Sequence, residues 1–162
     1  MGRVYTSSIH ISAAFTAQID IFELLAAANK PLLLHTFELG QVTEVGDAQE
    51  EGLTLVLKRV TGAPTSGSGG GTGTFNVTTP NDAAAGATLE TGNTTKLTGG
   101  TSVELARFGW NVRAPLPYIP MPEEKITLDQ ATRLVLELVT TPVDSIGGTN
   151  GVVGRIVIEE LV

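Results

Sequence analysis

The chain has 162 residues, a formal charge of −7, 41% hydrophobic and 17% charged residues, and no cysteine. That is enough chain for one domain with a real core, and it excludes disulfides, thiol nucleophiles and thiolate metal sites together. Ten basic residues scattered through an acidic chain leave no footprint for a phosphate backbone, so neither nucleic acid nor an anionic membrane is expected as a partner. No apolar run is long enough to cross a bilayer. The start of the chain lacks the apolar stretch of a secretory signal.

Val4–Ile11 reads as a strand with Tyr5, Ser7, Ile9 and Ile11 on one face. Thr16–Ile19 reads as a second, short strand. The period then changes. Asp20 and Glu23 have the spacing of a capping box, and Ile19 and Leu24 that of a hydrophobic staple. Ile21, Leu24, Leu25 and Ala28 share one helical face, which predicts a short helix over residues 21–28 that Asn29 and Pro31 stop. Pro31–Leu39 is an apolar run of strand length. An acidic connection follows, with Glu44, Asp47, Glu50 and Glu51. Leu53–Val60 alternates cleanly, Leu53, Leu55 and Leu57 against Thr54, Val56 and Lys58.

Residues 64–74 hold the run Ser66-Gly67-Ser68-Gly69-Gly70-Gly71, a flexible Gly/Ser loop by composition. The segment ends Gly71-Thr72-Gly73-Thr74 without the lysine of a phosphate-binding loop. Phe75–Thr78, Ala87–Glu90 and Lys96–Leu97 read as short strands, and Ser102–Val112 as a longer one. Pro115, Pro117, Pro120 and Pro122 exclude residues 114–123 from a central strand and make them an extended arm or edge. Thr132–Thr140 has helical spacing at Leu128, Thr132, Val135 and Val139, but the alternation of Leu134, Leu136 and Leu138 favours a strand. Turns at Gly147-Gly148 and Asn150-Gly151 precede the last strand, Val152–Leu161. About seven to nine short strands with one short helix make a single domain over residues 1–162, mostly β, a β-sandwich of jelly-roll type.

Chemistry-bearing patterns are weak. His10 and His35 sit in separate strands with no metal-ligand spacing, and packed or surface histidine is the better reading. The acidic connection lacks the alternating oxygens and tight glycine of a calcium loop. No G-x-S-x-G marks a serine nucleophile. Neither an enzyme nor a cofactor is expected. Trp110 suits core packing, and Tyr118 suits an interface.

The chain resembles a group of phage virion proteins through features along most of its length. They are Asp20-Ile21-Phe22-Glu23-Leu24 leading to Lys30-Pro31, then Leu39-Gly40-Gln41 through Gly46-Asp47 to Glu50-Glu51. Lys58-Arg59, the Gly/Ser loop, Phe108-Gly109-Trp110-Asn111-Val112-Arg113, Pro122-Glu123 and Ile158-Glu159-Glu160 follow. Such chains look like capsid decoration (cement) proteins of tailed bacteriophages. The resemblance implies a homotrimer on the outer surface of the head, bound to the major capsid protein at junctions between capsomers. Capsid or trimer contacts are then expected at Arg3, Val4 and Tyr5 near the N-terminus and at Tyr118, Ile119 and Met121 in the arm. A carbohydrate- or receptor-binding virion module is the alternative, and it would expose aromatic platforms or a calcium loop.

Overall fold

The computed structural model describes residues 2–42, 51–147 and 151–161. Glu44, Asp47 and Glu50 of the acidic connection, and Gly148 and Asn150 of the last turn, lie outside them. The described residues form twelve strands: β1 Arg3–Ile11, β2 Asp20–Leu25, β3 Leu32–Gln41, β4 Gly52–Thr61, β5 Gly71–Gly73, β6 Asn76–Val77, β7 Thr88–Asn93, β8 Thr101–Asn111, β9 Leu116–Tyr118, β10 Ile126–Leu128, β11 Arg133–Leu138 and β12 Val152–Glu160. They make two antiparallel sheets packed face to face, a β-sandwich. The front sheet runs β10-β3-β12-β1-β6, with β9 also on β3; the back sheet runs β5-β7-β2-β11-β4-β8.

The alternating strands dictate the core. Tyr5, Ile9, Phe37, Leu39, Ile156 and Ile158 point in from the front sheet, and Phe22, Leu24, Leu55, Leu57, Leu134 and Leu136 from the back. Trp110 is buried among them, and its indole N–H donates to the Ala114 carbonyl at 2.9 Å. The core reading of Trp110 therefore holds. Tyr5 is fully buried and donates its hydroxyl to Ala83 O at 2.9 Å.

No helix occupies residues 21–28. Asp20–Leu25 is a strand, β2, held between β7 and β11. The helical spacing was misleading because β2 is buried on both faces, so apolar residues occur at nearly every position and fit either period. The capping-box residues have other tasks. Asp20 accepts from the amide of Leu97, and Glu23 from the amide of Gly67. The only helical turn among the described residues is a 3-10 turn at Pro122–Glu124. Thr16–Ile19 and Lys96–Leu97 are not strands, whereas Thr132–Thr140 contains β11, as the alternation predicted.

What buries the outer side of β2 is the Gly/Ser segment. It pairs with residues 91–101 at intervals: Thr61 faces Thr101, Thr65 faces Thr98, Ser68 faces Thr95 and Gly71 faces Thr91. Residues 52–73 and 89–111 are thus two legs of one long hairpin. It begins at the β4–β8 edge of the back sheet and ends at the opposite β5–β7 edge. Between them, residues 62–70 and 94–100 form a strap across the outer face. Composition suggested a free loop; Thr65 N–H to Thr98 O at 2.8 Å and Ser68 N–H to Thr95 O at 2.9 Å show a paired one. Glycine is required there for close approach. A Cβ on Gly67 would lie 2.8 Å from Thr95 O, and one on Gly70 only 2.2 Å from Thr91 O.

Under the strap lies a polar layer. Glu23 pairs with Arg133 and accepts from the Ser66 hydroxyl at 2.7 Å and the Gly67 amide at 2.9 Å. Glu137 takes Lys58 at 2.5 Å and Lys96 at 2.6 Å. Burial pushes the Glu137 carboxyl up, but its hydrogen bonds from the two lysines outweigh that and hold it below its ordinary value. Asp20 is fully buried, and its Oδ1 has no hydrogen-bond partner among the described residues. Burial pushes its carboxyl up to about 6, against the pull of the Leu97 amide.

This has a consequence for pH. The folded-state value of Asp20 lies above the unfolded one, 3.8 against about 6, so the folded protein binds the extra proton. The associated stability is present below about pH 4 and is lost as pH rises to about 6. Asp20→Asn keeps an acceptor for the Leu97 amide and cannot ionise. Urea titrations should show the variant gaining on the wild type by up to about 3 kcal/mol between pH 4 and pH 7. A constant difference across that range would show that Asp20 does not titrate there.

Candidate docking surface

The two outer faces of the sandwich differ. The strap closes the back face. On the front face, Ser8, His10, Glu38 and Arg155 are exposed, and Val4, Thr6, Leu33, His35, Val157 and Glu159 partly so. This is a mixed polar and apolar surface built from the alternate residues of β1, β3 and β12.

The margin of that face carries the arm. β9 pairs with Phe37–Leu39 and β10 with Leu32–Leu34, both antiparallel to β3. They are two ends of one edge strand, and residues 119–125 leave it between them. Proline explains the break, since Pro120 and Pro122 cannot donate to the ladder. Tyr118 anchors the break. Its ring stacks on Phe37 at 4.9 Å and meets Phe108 of β8 edge-on at 5.8 Å, closing the gap between the sheets. The next residues turn outward: Ile119 is 76% and Met121 61% exposed. Two apolar side chains presented this way are surface that a partner could cover.

The residues expected at contacts thus separate. Ile119 and Met121 are presented together on the excursion. Tyr118 is half-buried and holds that excursion in place. Val4 lies on the front face, and Arg3 reaches Asp82 at 3.6 Å. Tyr5 offers no surface at all, because β1 lies between β12 and β6 and turns that side chain into the core. The signal for this was already in the alternation of residues 4–11, which puts Tyr5 on the face of Ile9 and Ile11.

Other sites are less suited. Among the described residues β8 is the last strand of its sheet, with Val103 and Leu105 exposed. It also carries a register shift near Leu57 and an exposed Glu104–Arg107 pair, features that discourage strand pairing. A shallow depression beside Pro31, Asp129 and Gln130 has no convergent reactive groups. The two histidines do not meet. His10 lies level with Gly40 through Val153, five positions along β3 from His35, or roughly 17 Å at the rise of a strand. No group of three His, Asp or Glu among the described residues is placed to hold a metal ion.

Comparison with known proteins gives no match: no family model, curated protein or solved structure is similar to the chain. The surface itself therefore carries the functional argument.

None of the aromatic side chains, all of which lie among the described residues, is exposed. Sugar recognition by stacking needs such a platform. An apolar excursion beside a mixed β face instead suits a protein surface.

Proposed function

We propose that this chain is a structural virion protein, a decoration or cement protein of a tailed-phage head. It docks on the outer surface of the shell at junctions between copies of the major capsid protein and holds them together. The observation that carries this reading is the arm. A β-sandwich closed on one face by its own strap presents Ile119 and Met121 at the margin of the other face, on a support fixed by Tyr118. The resemblance of the motifs from Asp20-Ile21-Phe22-Glu23-Leu24 to Ile158-Glu159-Glu160 supplies the phage head as the partner.

The physical task fits such a build. A pressurised shell fails where neighbouring capsomers separate, and a clamp across the junction opposes that through many weak contacts. We take the working form to be a homotrimer, because linking three docking surfaces makes the second and third contacts effectively intramolecular. The acidic net charge suppresses association with packaged or released DNA. The receptor-binding alternative finds no support in the aromatics, none of which is exposed.

The test uses purified protein and undecorated, expanded heads. The protein should sediment with the heads and raise the temperature at which they release DNA. Failure to sediment and an unchanged release temperature would together refute the reading.

A further inference from the structure

His35 sits where two irregularities coincide. β3 shifts register against β12 between the pairs Thr36–Val157 and Leu34–Ile158. The arm leaves β3 opposite the same residues, between the pairs Phe37–Tyr118 and Leu34–Ile126. A bulge re-aims a side chain, and here the imidazole is held between β12 and the arm. Its Nε2 lies 2.9 Å from Glu159 Oε2, and its Nδ1 lies 2.9 Å from Lys125 Nζ.

These contacts fix the proton. A lysine ammonium has only hydrogens to give, so Nδ1 must accept and carries none. Nε2 then holds the single ring hydrogen and donates it to the Glu159 carboxylate. Lys125 is the last residue of the excursion, directly before β10. The ring therefore ties the foot of the excursion to the body of the sandwich.

We propose that Lys125, His35 and Glu159 form a proton-operated clasp on residues 119–125. It is closed while the imidazole is neutral and open when the ring takes a second proton. The proton comes from solvent and binds the Nδ1 lone pair. The bond from Lys125 Nζ then has no acceptor, and two cations face each other. The bond from Nε2 to Glu159 remains and becomes charge-assisted. Lys125 leaves, and the arm is freed at its C-terminal foot.

The other charges around the ring allow this. From β12 Glu159 faces it; the residue of β1 opposite Glu159 is Val4, and Gly2, which brings no charged side chain, lies against the Glu159 carboxylate. β10, Ile126–Leu128, brings no charge. On β3, Glu38 is engaged with Arg155 at 3.3 Å. The arm itself brings Glu123 and Glu124, next to Lys125 in the chain, which give the released ammonium carboxylates of its own segment to turn to. The biological consequence, that acid loosens the Ile119–Met121 contact, rests on the docking reading above; the clasp does not.

The test is made on the free, full-length protein. Amide exchange, corrected for intrinsic rates, is compared at about pH 7.5 and about pH 5.5. Protection of the Glu124 amide, which donates to Met121 O at 2.9 Å, should fall about tenfold at the lower pH, the weight of one charge-assisted hydrogen bond. Protection at Leu136 and Ile156 should hold. In His35→Gln the excursion should lose this pH dependence. Equal protection of Glu124 at both pH values, or the same fall in His35→Gln, would overturn the clasp. Ring nitrogen shifts of the wild type give a check that needs no variant. At the higher pH they should report a hydrogen on Nε2 and none on Nδ1, and the opposite tautomer would also overturn it. Sedimentation with heads at the higher pH separates the two ideas, since docking there does not require the clasp to open.

Discussion

Glu23→Ala is expected to lower the stability of the folded chain by about 3–5 kcal/mol. Glu23 is 2% exposed, and three donors converge on its carboxylate: the Arg133 guanidinium, the Ser66 hydroxyl and the Gly67 amide, with Arg133 also donating to Ser66 Oγ at 3.0 Å. Truncation leaves a largely buried cation without its counter-charge and an amide of the strap without an acceptor. One loss falls on β11 and the other on the strap, the two sides of the same contact, so the strap should detach from β2 and β11. Glu104→Ala is the contrast. Its pair with Arg107 is exposed to water, which screens such pairs, and the urea midpoint of that variant should not move. Equal effects from the two substitutions would mean that the layer under the strap contributes no more than a surface ion pair.

Gly70→Ala should cost about 2–4 kcal/mol although it adds one methyl group. The new carbon would lie 2.2 Å from Thr91 O and 2.8 Å from the Gly92 carbonyl carbon, both backbone atoms of the facing leg. Backbone cannot swing aside as a side chain can, so the legs of the hairpin must separate there. Gly71→Ala is the matched control. Its methyl would meet nothing closer than Thr91 Oγ1 at 3.6 Å, an ordinary contact, and its midpoint should stay near that of the wild type. The pair of variants distinguishes a strap that is seated by close approach from a loop that is only flexible, in which both would be tolerated.

The strands were legible wherever one face is buried and the other wet. Tyr5, Ser7, Ile9 and Ile11 in β1, and Leu53, Leu55 and Leu57 in β4, alternate because only one side meets the core. β2 was misread because the strap covers its second face, a contact between residues more than forty positions apart that no local pattern records. The same long-range pairing hid the strap itself. Glycines at 67, 69, 70 and 71 look alike in sequence, whether they provide freedom or allow two backbones to touch. In the arm, alternating prolines correctly marked an edge, and Ile119 and Met121 were visible as apolar residues that such an edge would not cover. The Lys125–His35–Glu159 contact was not legible, since its members come from three separate segments and His35 is placed by a bulge.

The most direct measurement of the central claim is the affinity of the double variant Ile119→Asp/Met121→Asp for undecorated heads. Both side chains are well exposed in the free chain, so the variant should fold with an unchanged urea midpoint. Buried against a partner, two apolar anchors of this kind together carry roughly a hundredfold in affinity. Co-sedimentation should therefore fall by about that factor relative to the wild type, and the variant should no longer raise the temperature of DNA release. A variant that sediments with heads and protects them as well as the wild type would contradict docking through the arm.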